Sequence, residues 1–260
     1  MNIKSQTVSI ITPSFNSAKY IEETIKSVIA QTYKDWEMII VDDCSTDTTC
    51  SIIKEWCKKD KRIKLINLDI NSGAAIARNV ALHHSKGRFI SYLDSDDIWY
   101  PTKLEKQIDF MLRNNYGFSC VSYEVIGDDG KTKNKHIYMK DKLDYIGFLT
   151  NNYLQTVGIM VDTLITGFEV LEMPKLRRRQ DAATWLQILK TGNSCYGIPE
   201  VLAQYRRTKN SLSSNKVKAV KGVWHLYRKI ERLNFIFSCY CFVKYATLAV
   251  WKRIYVLNEK

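Results

Sequence analysis

The apolar positions of this chain switch repeatedly between two periods. Val8–Thr12 (VSIIT) is a continuous apolar run, broken by Pro13, Ser14 and Asn16; Ile21, Ile25, Val28 and Ile29 then recur at helical spacing. Glu37–Val41 (EMIIV) is a second run, followed by Ile52, Ile53 and Trp56 as the mark of a second helix. Ile63–Asn67 (IKLIN) is a third, followed by an Ala-rich helical stretch over Ala74–Ser85, with Gly87 placed to end it. Phe89–Leu93 is a fourth, after which Pro101 opens a helix at its first turn, where a missing N–H is not needed. Phe118–Tyr123 is a fifth. Short apolar runs bounded by turn formers read as buried strands, and their alternation with helices predicts a mainly parallel sheet covered on both faces. Beyond residue 124 the pattern loosens. Asp128-Asp129-Gly130 is a turn between two strand-like pieces, and Leu154–Val161 is one more apolar piece. Gln180-Asp181 precedes Trp185, Leu186, Ile188 and Leu189, which predicts a helix with Asp181 in or just before its first turn.

In sheets of this kind, ligands bind beyond the carboxyl ends of the strands. Those ends carry Pro13–Asn16, Asp42-Asp43 and Asp94–Asp97, so three polar clusters far apart in sequence are expected to converge on one crevice. The third is the densest, with Asp94, Asp96 and Asp97 crowded at the end of an apolar run. Such carboxylates repel one another unless a cation sits among them, and a Mg²⁺-like ion is held by one or two carboxylates with substrate phosphates completing its shell. The same spacing also fits a solvated acidic turn. No GxGxxG or GxxxxGK[ST] loop follows the first strand, which weighs against dinucleotide-binding and P-loop chemistry.

Composition adds one asymmetry. The chain has 260 residues, 45% of them hydrophobic and 25% charged, an ordinary globular balance. Its net charge of +12 is concentrated at one end. Residues 201–260 hold 13 Lys and Arg against only Glu231 and Glu259, while residues 1–200 are close to neutral. A near-neutral body with a basic attachment is the expectation. No apolar leader with a cleavage site precedes Val8, and the seven cysteines (44, 50, 57, 120, 195, 239 and 241) show neither CxxC pairs nor zinc spacing. Both features fit reduced thiols in a cytoplasmic protein.

The segments VSIITPSFNSAKYIEETIKSVIAQTYKDWEMIIVDDCSTD, NSGAAIARN, GRFISYLDSDDIWYPTKLEKQ and RRQDAATWLQIL resemble family 2 glycosyltransferases of the GT-A fold, and the first three stand in that family's order and spacing. The likeness runs over about residues 7–215 and is best to bacterial enzymes that build cell-surface polysaccharides, including those of teichuronic acid and O-antigen. It implies an α/β fold with a Rossmann-like, mainly parallel central sheet flanked by helices. It also implies a catalytic domain over residues 1–215 and a helical basic extension over 216–260. The implied reaction moves a sugar from a nucleotide diphosphate donor to an acceptor hydroxyl with inversion, aided by Mn²⁺ or Mg²⁺. The implied acceptor is a lipid-linked glycan or an oligosaccharide.

The resemblance also assigns residues. Thr12, Pro13 and Phe15 line the nucleoside floor, and Phe15 either stacks on the base or packs beneath its loop. Asp43 accepts a hydrogen bond from the pyrimidine ring N–H, a task for a group that only accepts, and this favours a UDP-sugar. The alternative for Asp42 or Asp43 is a helix cap. Gly73 lets the backbone approach the nucleotide, and Arg78 either contacts the diphosphate or braces the acidic cluster. Asp94, Ser95 and Asp96 form the DxD segment, with Asp94 on the ribose and Asp96 on the metal. Asp181 is the general base that takes the acceptor proton. Many relatives have Glu-Asp there, where this chain has Gln180-Asp181. Trp185 is either a sugar platform or core. Arg206, followed by Arg207, Lys209, Ser211 and Ser213, resembles a loop that closes over the donor phosphates, where a solvated basic loop is the simpler account.

The basic end carries Val217, Val220, Val223, Trp224 and Tyr227 near one helical face; Phe235–Val243 is then apolar and aromatic, and Lys244 interrupts it. A membrane span needs roughly 20 unbroken apolar residues. The shorter runs predict an amphipathic element at the inner face of the cytoplasmic membrane, drawn to anionic lipid. Packing on the body is the alternative. Two other readings of the whole chain are a non-catalytic nucleotide-sugar binder and a nucleic-acid-binding protein, the latter without any recognised signature.

Overall fold

The computed structural model describes residues 6–151, 154–208 and 216–254. Its first part alternates as the periodicity predicts: β1 (Val8–Ser14), α1 (Ile21–Ile29), β2 (Trp36–Asp42), α2 (Thr49–Lys59), β3 (Ile63–Asn67), α3 (Ala74–His83) and β4 (Phe89–Tyr92). The second part is β5 (Ile98–Trp99), α4 (Lys103–Asn114), β6 (Phe118–Ile126), β7 (Thr132–Ile137), β8 (Lys142–Leu143), α5 (Tyr145–Thr150), β9 (Ile159–Asp162), α6 (Thr163–Thr166), α7 (Gln180–Lys190) and β10 (Cys195–Arg206). The last part is α8 (Lys216–His225), a π turn over Leu226–Ile230, and α9 (Phe235–Ile254).

Among the described residues one sheet collects all ten strands, in the order β3-β2-β1-β4-β9-β6-β10-β5, with β7 on β6 and β8 on β10. β1 pairs in parallel with β2 and β4, β2 with β3, and β6 with β10. β9 lies antiparallel between β4 and β6, so these two neighbours still point the same way. The fold is thus a mainly parallel α/β sheet flanked by helices. The apolar piece near Leu154–Val161 supplies the antiparallel insert.

The winding decides where a ligand can sit. From β1 the chain moves outward through β2 to β3, then returns to pair β4 on the other side of β1. Where the order reverses, the connections leave in opposite directions and a crevice opens beyond the carboxyl ends. β1 ends in Thr12-Pro13-Ser14, and β4 runs directly into Asp94–Asp97. Burial fixes this frame. Ile21, Ile25 and Val28 of α1 are buried on one face, and each such side chain contributes about 1.5–3 kcal/mol. In α3 the small Ala75, Ala77 and Ala81 are buried and let the helix lie close on β1 and β2.

Two expectations change in detail. Gly87 does not cap α3, whose last turn closes at His84. It stands where the chain passes β1: a Cβ there would lie 2.5 Å from Thr7 O and 2.7 Å from Ser9 N. The C-terminal helices are also built onto the body rather than held apart. Val223, Leu226, Tyr227 and Cys241 join the same hydrophobic core as the sheet. The Tyr227 hydroxyl donates to Leu149 O, and Glu231 takes both the Tyr145 hydroxyl (2.5 Å) and Lys190 Nζ (2.6 Å). Lys244 interrupts the apolar run, as read from the sequence, within the continuous helix α9.

Candidate active site

The floor comes from β1 and the loop after it. Thr12, Pro13 and Ser14 are buried, and Thr12 Oγ1 has no hydrogen-bond partner among the described residues. Phe15 is 49% exposed, so it does not pack beneath its loop; its ring is open to solvent, as stacking on a base requires. A lattice not evident in the sequence holds this loop to the one after β2. Asn16 N donates to Ser45 Oγ (2.8 Å), Thr46 N to Asn16 Oδ1 (2.8 Å) and Ser17 N to Thr49 Oγ1 (2.8 Å). Asp42 accepts from Ser45 N (2.8 Å) and so closes its own turn.

Asp43 works at longer range. Its buried carboxylate accepts from Ser72 N (2.6 Å) and Gly73 N (2.7 Å), which fixes the entry to α3. A carboxylate has roughly four acceptor positions, so a further donor can still be taken. Gly73 has φ +91° and ψ 159°, a region open essentially to glycine alone, and a Cβ there would meet nothing within 4 Å. Its backbone conformation, with open space above it, is what this position requires.

Five residues into α3, Arg78 is 5% exposed and donates from Nη2 to Asp94 Oδ1 at 2.5 Å. Burial opposes its charge, but the nearby Asp94 and, beyond it, Asp181 hold its pKa above the ordinary value. The guanidinium therefore stands within electrostatic reach of both carboxylates and braces the acidic cluster. Its Nε and Nη1 have no partner among the described residues, an expensive state for buried donors and one an anion would relieve. Asp181 lies half-buried in the first turn of α7, as expected. Trp185, one turn on, is fully buried with its ring edge-on to Tyr92, so it belongs to the core and offers no sugar platform.

The acidic loop turns through Ser95 and Asp96, with Asp97 N donating to Asp94 O (3.1 Å). Asp94, Ser95 and Asp96 are partly exposed, whereas Asp97 is buried. Burial, and next the Asp94 charge, push the Asp96 carboxyl up to about 6. Asp97 is pushed well above the usual carboxylate range by burial and by its two acidic neighbours. Among the described residues no three His, Cys, Asp or Glu side chains stand together as a ready metal site. The donor chemistry still fits Mn²⁺ or Mg²⁺ at Asp96, a partly exposed carboxylate whose charge burial and Asp94 oppose, with Asp94 already paired to Arg78; such an ion would need further oxygen ligands from a bound phosphate group.

Asp97 and Arg206 are where the sequence reading falls short. Arg206 ends β10 and is 3% exposed. Its backbone N–H donates to Asp97 Oδ1 (2.8 Å), Nε to Asp96 O (2.7 Å), Nη1 to Gly127 O (3.3 Å) and Nη2 to Glu23 Oε2 (2.6 Å). With its donors so engaged, Arg206 clamps the acidic loop from below instead of standing free for a diphosphate. Arg207 is exposed, while Lys209, Ser211 and Ser213 lie outside the described residues. Only the apolar pattern of β10 could have flagged Arg206 as buried; its partners lie 79 to 183 residues away.

The contacts join Asp43 of the β2 end to Gly73 at the entry of α3, and Arg78 of α3 to Asp94 of the loop after β4, with the β1 loop tied to the loop after β2. Residues 9–170 match the family model "Glycosyl transferase family 2". Over 247 residues the chain is 48% identical to a Bacillus subtilis (strain 168) protein named "Putative teichuronic acid biosynthesis glycosyltransferase TuaG", covering 95% of this chain and 97% of that one. It is 36% identical over 250 residues to Escherichia coli "UDP-Glc:alpha-D-GlcNAc-diphosphoundecaprenol beta-1,3-glucosyltransferase WfgD", covering 95% of each. Two solved structures share the fold: S. aureus TarS 1-349 in complex with UDP (TM-score 0.68, 19% identity, 97% of this chain and 73% of that one), and the Pyrobaculum calidifontis mannosyltransferase PcManGT in complex with GDP-Man and Mn²⁺ (TM-score 0.67, 16% identity, 98% and 76%). The chain is a member of glycosyltransferase family 2, with the GT-A fold.

Proposed function

We propose that this glycosyltransferase transfers a sugar from a UDP-sugar to a hydroxyl of a lipid-linked glycan, with inversion, at the inner face of the cytoplasmic membrane during bacterial surface polysaccharide synthesis. The observation that supports the reading is the buried Arg78 guanidinium, which pairs with Asp94 of the acidic loop (2.5 Å), keeps two further donors without a partner among the described residues and feels the charge of Asp181. Phe15 would stack on the base, and Asp43, with acceptor capacity to spare, would take the uracil N3–H that cytosine lacks. Asp94 would hold the ribose, with Ser95 beside it, and Gly73 would leave room for the nucleotide. The unpaired donors of Arg78 would face the negative charge of the donor. Asp96, together with the diphosphate, would hold Mn²⁺ or Mg²⁺, whose contribution is to neutralise charge gathering on the leaving UDP.

Asp181 would take the acceptor hydroxyl proton as its oxygen attacks the anomeric carbon, and UDP would leave from the opposite face. No covalent intermediate is needed for a single inverting displacement. The names of the relatives support the donor and acceptor classes: one acts with UDP-Glc on a diphosphoundecaprenol-linked sugar, and another belongs to teichuronic acid biosynthesis.

Thermal stabilisation by UDP-, GDP- and dTDP-sugars, each with and without Mn²⁺, tests the reading. A UDP-sugar should give the largest shift. Asp181→Asn should keep that shift while transfer falls by roughly 10²–10⁴-fold. A larger, metal-independent shift with a GDP-sugar would overturn both the donor and metal assignments. Unchanged transfer in Asp181→Asn would overturn the base.

A further inference from the structure

A helix lying on a protein surface ordinarily turns polar residues outward. α9 does not. Inward, Ser238 and Cys241 are fully buried, and Phe237, Phe242 and Tyr245 pack on the core. Outward, Ile236 (82% exposed), Tyr240 and Val243 follow one another at i, i+4 and i+7, with Phe235 exposed just ahead of them. This is an apolar ridge on the opposite side from the one the body uses.

Cations flank that ridge. Arg228 lies 6.0 Å from the centre of the Phe235 ring, and Lys244 lies 5.8 Å from that of Tyr240. Lys229 and Arg232, in the turn leading into α9, are exposed. Glu231 is the one acidic residue of segment 216–254, and it is buried against Lys190 and Tyr145. The described surface of this segment is therefore mainly apolar and cationic, with His225, Asn234 and Thr247 also exposed and no exposed carboxylate among the described side chains. No described helix is long and apolar enough to cross a membrane.

We propose that the outer face of α9 lies in the headgroup region of an anionic bilayer, with Ile236, Tyr240, Val243 and Phe235 reaching toward the acyl chains and Arg228, Arg232 and Lys244 meeting lipid phosphates. The chemistry selects this occupant. Buried apolar area and attraction to anionic headgroups add in such a helix. A second copy docked face to face would bring like charges together. A nucleic acid would meet the cations but gain nothing from an aliphatic ridge. The proposal stands on this helix alone and needs neither the donor nor the acceptor assigned to the crevice.

The full-length protein tests it by flotation with vesicles of phosphatidylglycerol and phosphatidylethanolamine, against vesicles of phosphatidylcholine, at low and high salt. The protein should float with the anionic vesicles and be released as salt rises. The double substitution Ile236→Asp/Val243→Asp should cut partitioning at least tenfold while leaving the melting temperature and the UDP-sugar shift unchanged. Lys244→Glu should weaken binding to anionic vesicles specifically. Equal flotation of the parent and the double variant would overturn the proposal, as would no flotation at all. So would a concentration-dependent dimer in sedimentation that the double substitution dissolves. A failed donor screen with intact flotation would refute the crevice assignment and leave the membrane face standing.

Discussion

At the scale of single residues, the acidic loop holds Asp96 and Asp97 where burial and neighbouring carboxylates oppose their charge. Asp96 titrates at about 6, above its ordinary value, because burial and Asp94 both oppose its charge. A carboxyl raised in the folded state favours folding while protonated, and that benefit is lost as pH rises from the usual carboxylate range through about 6. The metal-free protein should therefore lose melting temperature over that interval. Added Mn²⁺ with a UDP-sugar should raise it more at pH 7.5 than at pH 5. Asp96→Asn should melt higher than the parent at pH 7.5, by about 2–4 °C for each kcal/mol relieved, and lose the metal-dependent part of the donor shift. A lower melting temperature in Asp96→Asn would show that the loop carries no such stored repulsion. Gly73 gives a cleaner case. Since a Cβ there would touch nothing, Gly73→Ala should cost about 1–3 kcal/mol through backbone strain alone, read from urea denaturation.

At the scale of elements, the legible parts were those whose signal is local. β1, β2 and β6 are buried along their whole length, so their short, mostly apolar runs revealed them. Thr132–Ile137 forms β7 with mostly exposed, polar side chains; only the Asp-Asp-Gly turn before it betrays a hairpin. Gly87 misled for a related reason. Its place after a helix suggested a cap, whereas the constraint comes from β1, 78 residues earlier, through Gly87 N donating to Ser9 Oγ (2.8 Å). Gly87→Ala would push a methyl into the Thr7 carbonyl at 2.5 Å. It should destabilise by about 1–3 kcal/mol or more, as overpacking against backbone does, with a lowered urea midpoint. The start of α7 is set in a similar way from afar. Arg179, just before Gln180, has φ +64°, and its Nη2 donates to the Tyr245 hydroxyl of α9 (3.3 Å), while Gly222 of α8 packs against its Cγ side. Tyr245→Phe should lower kcat a few-fold without changing the UDP-sugar shift, because it loosens the turn that presents Asp181 and touches no donor residue.

At the scale of the whole molecule, the charge asymmetry was visible in the sequence, but its setting was not. The basic segment looked like an attachment because nothing in a list of Lys and Arg tells where Val223, Leu226, Tyr227 and Cys241 point. The core they enter is that of the sheet. The chain should therefore unfold in one cooperative calorimetric transition, and deletion of residues 216–260 should leave a body that aggregates or melts well below the parent. Two separate transitions, or a stable and soluble body, would instead mark an independent tail. The three polar strand ends were legible on one edge of the sheet because β1, β2 and β4 run parallel. The Arg206 clamp was not, since Arg206 finds Glu23, Asp96, Asp97 and Gly127 only once the chain has folded.

That clamp also bears on biosynthesis. As the ribosome extends the chain, Asp94–Asp97 emerges long before Arg206. Until the final strand has slotted beside β6, the nascent polypeptide holds its acidic turn without the arginine that anchors it. The acidic turn therefore reaches its anchored form only after most of the chain has been made.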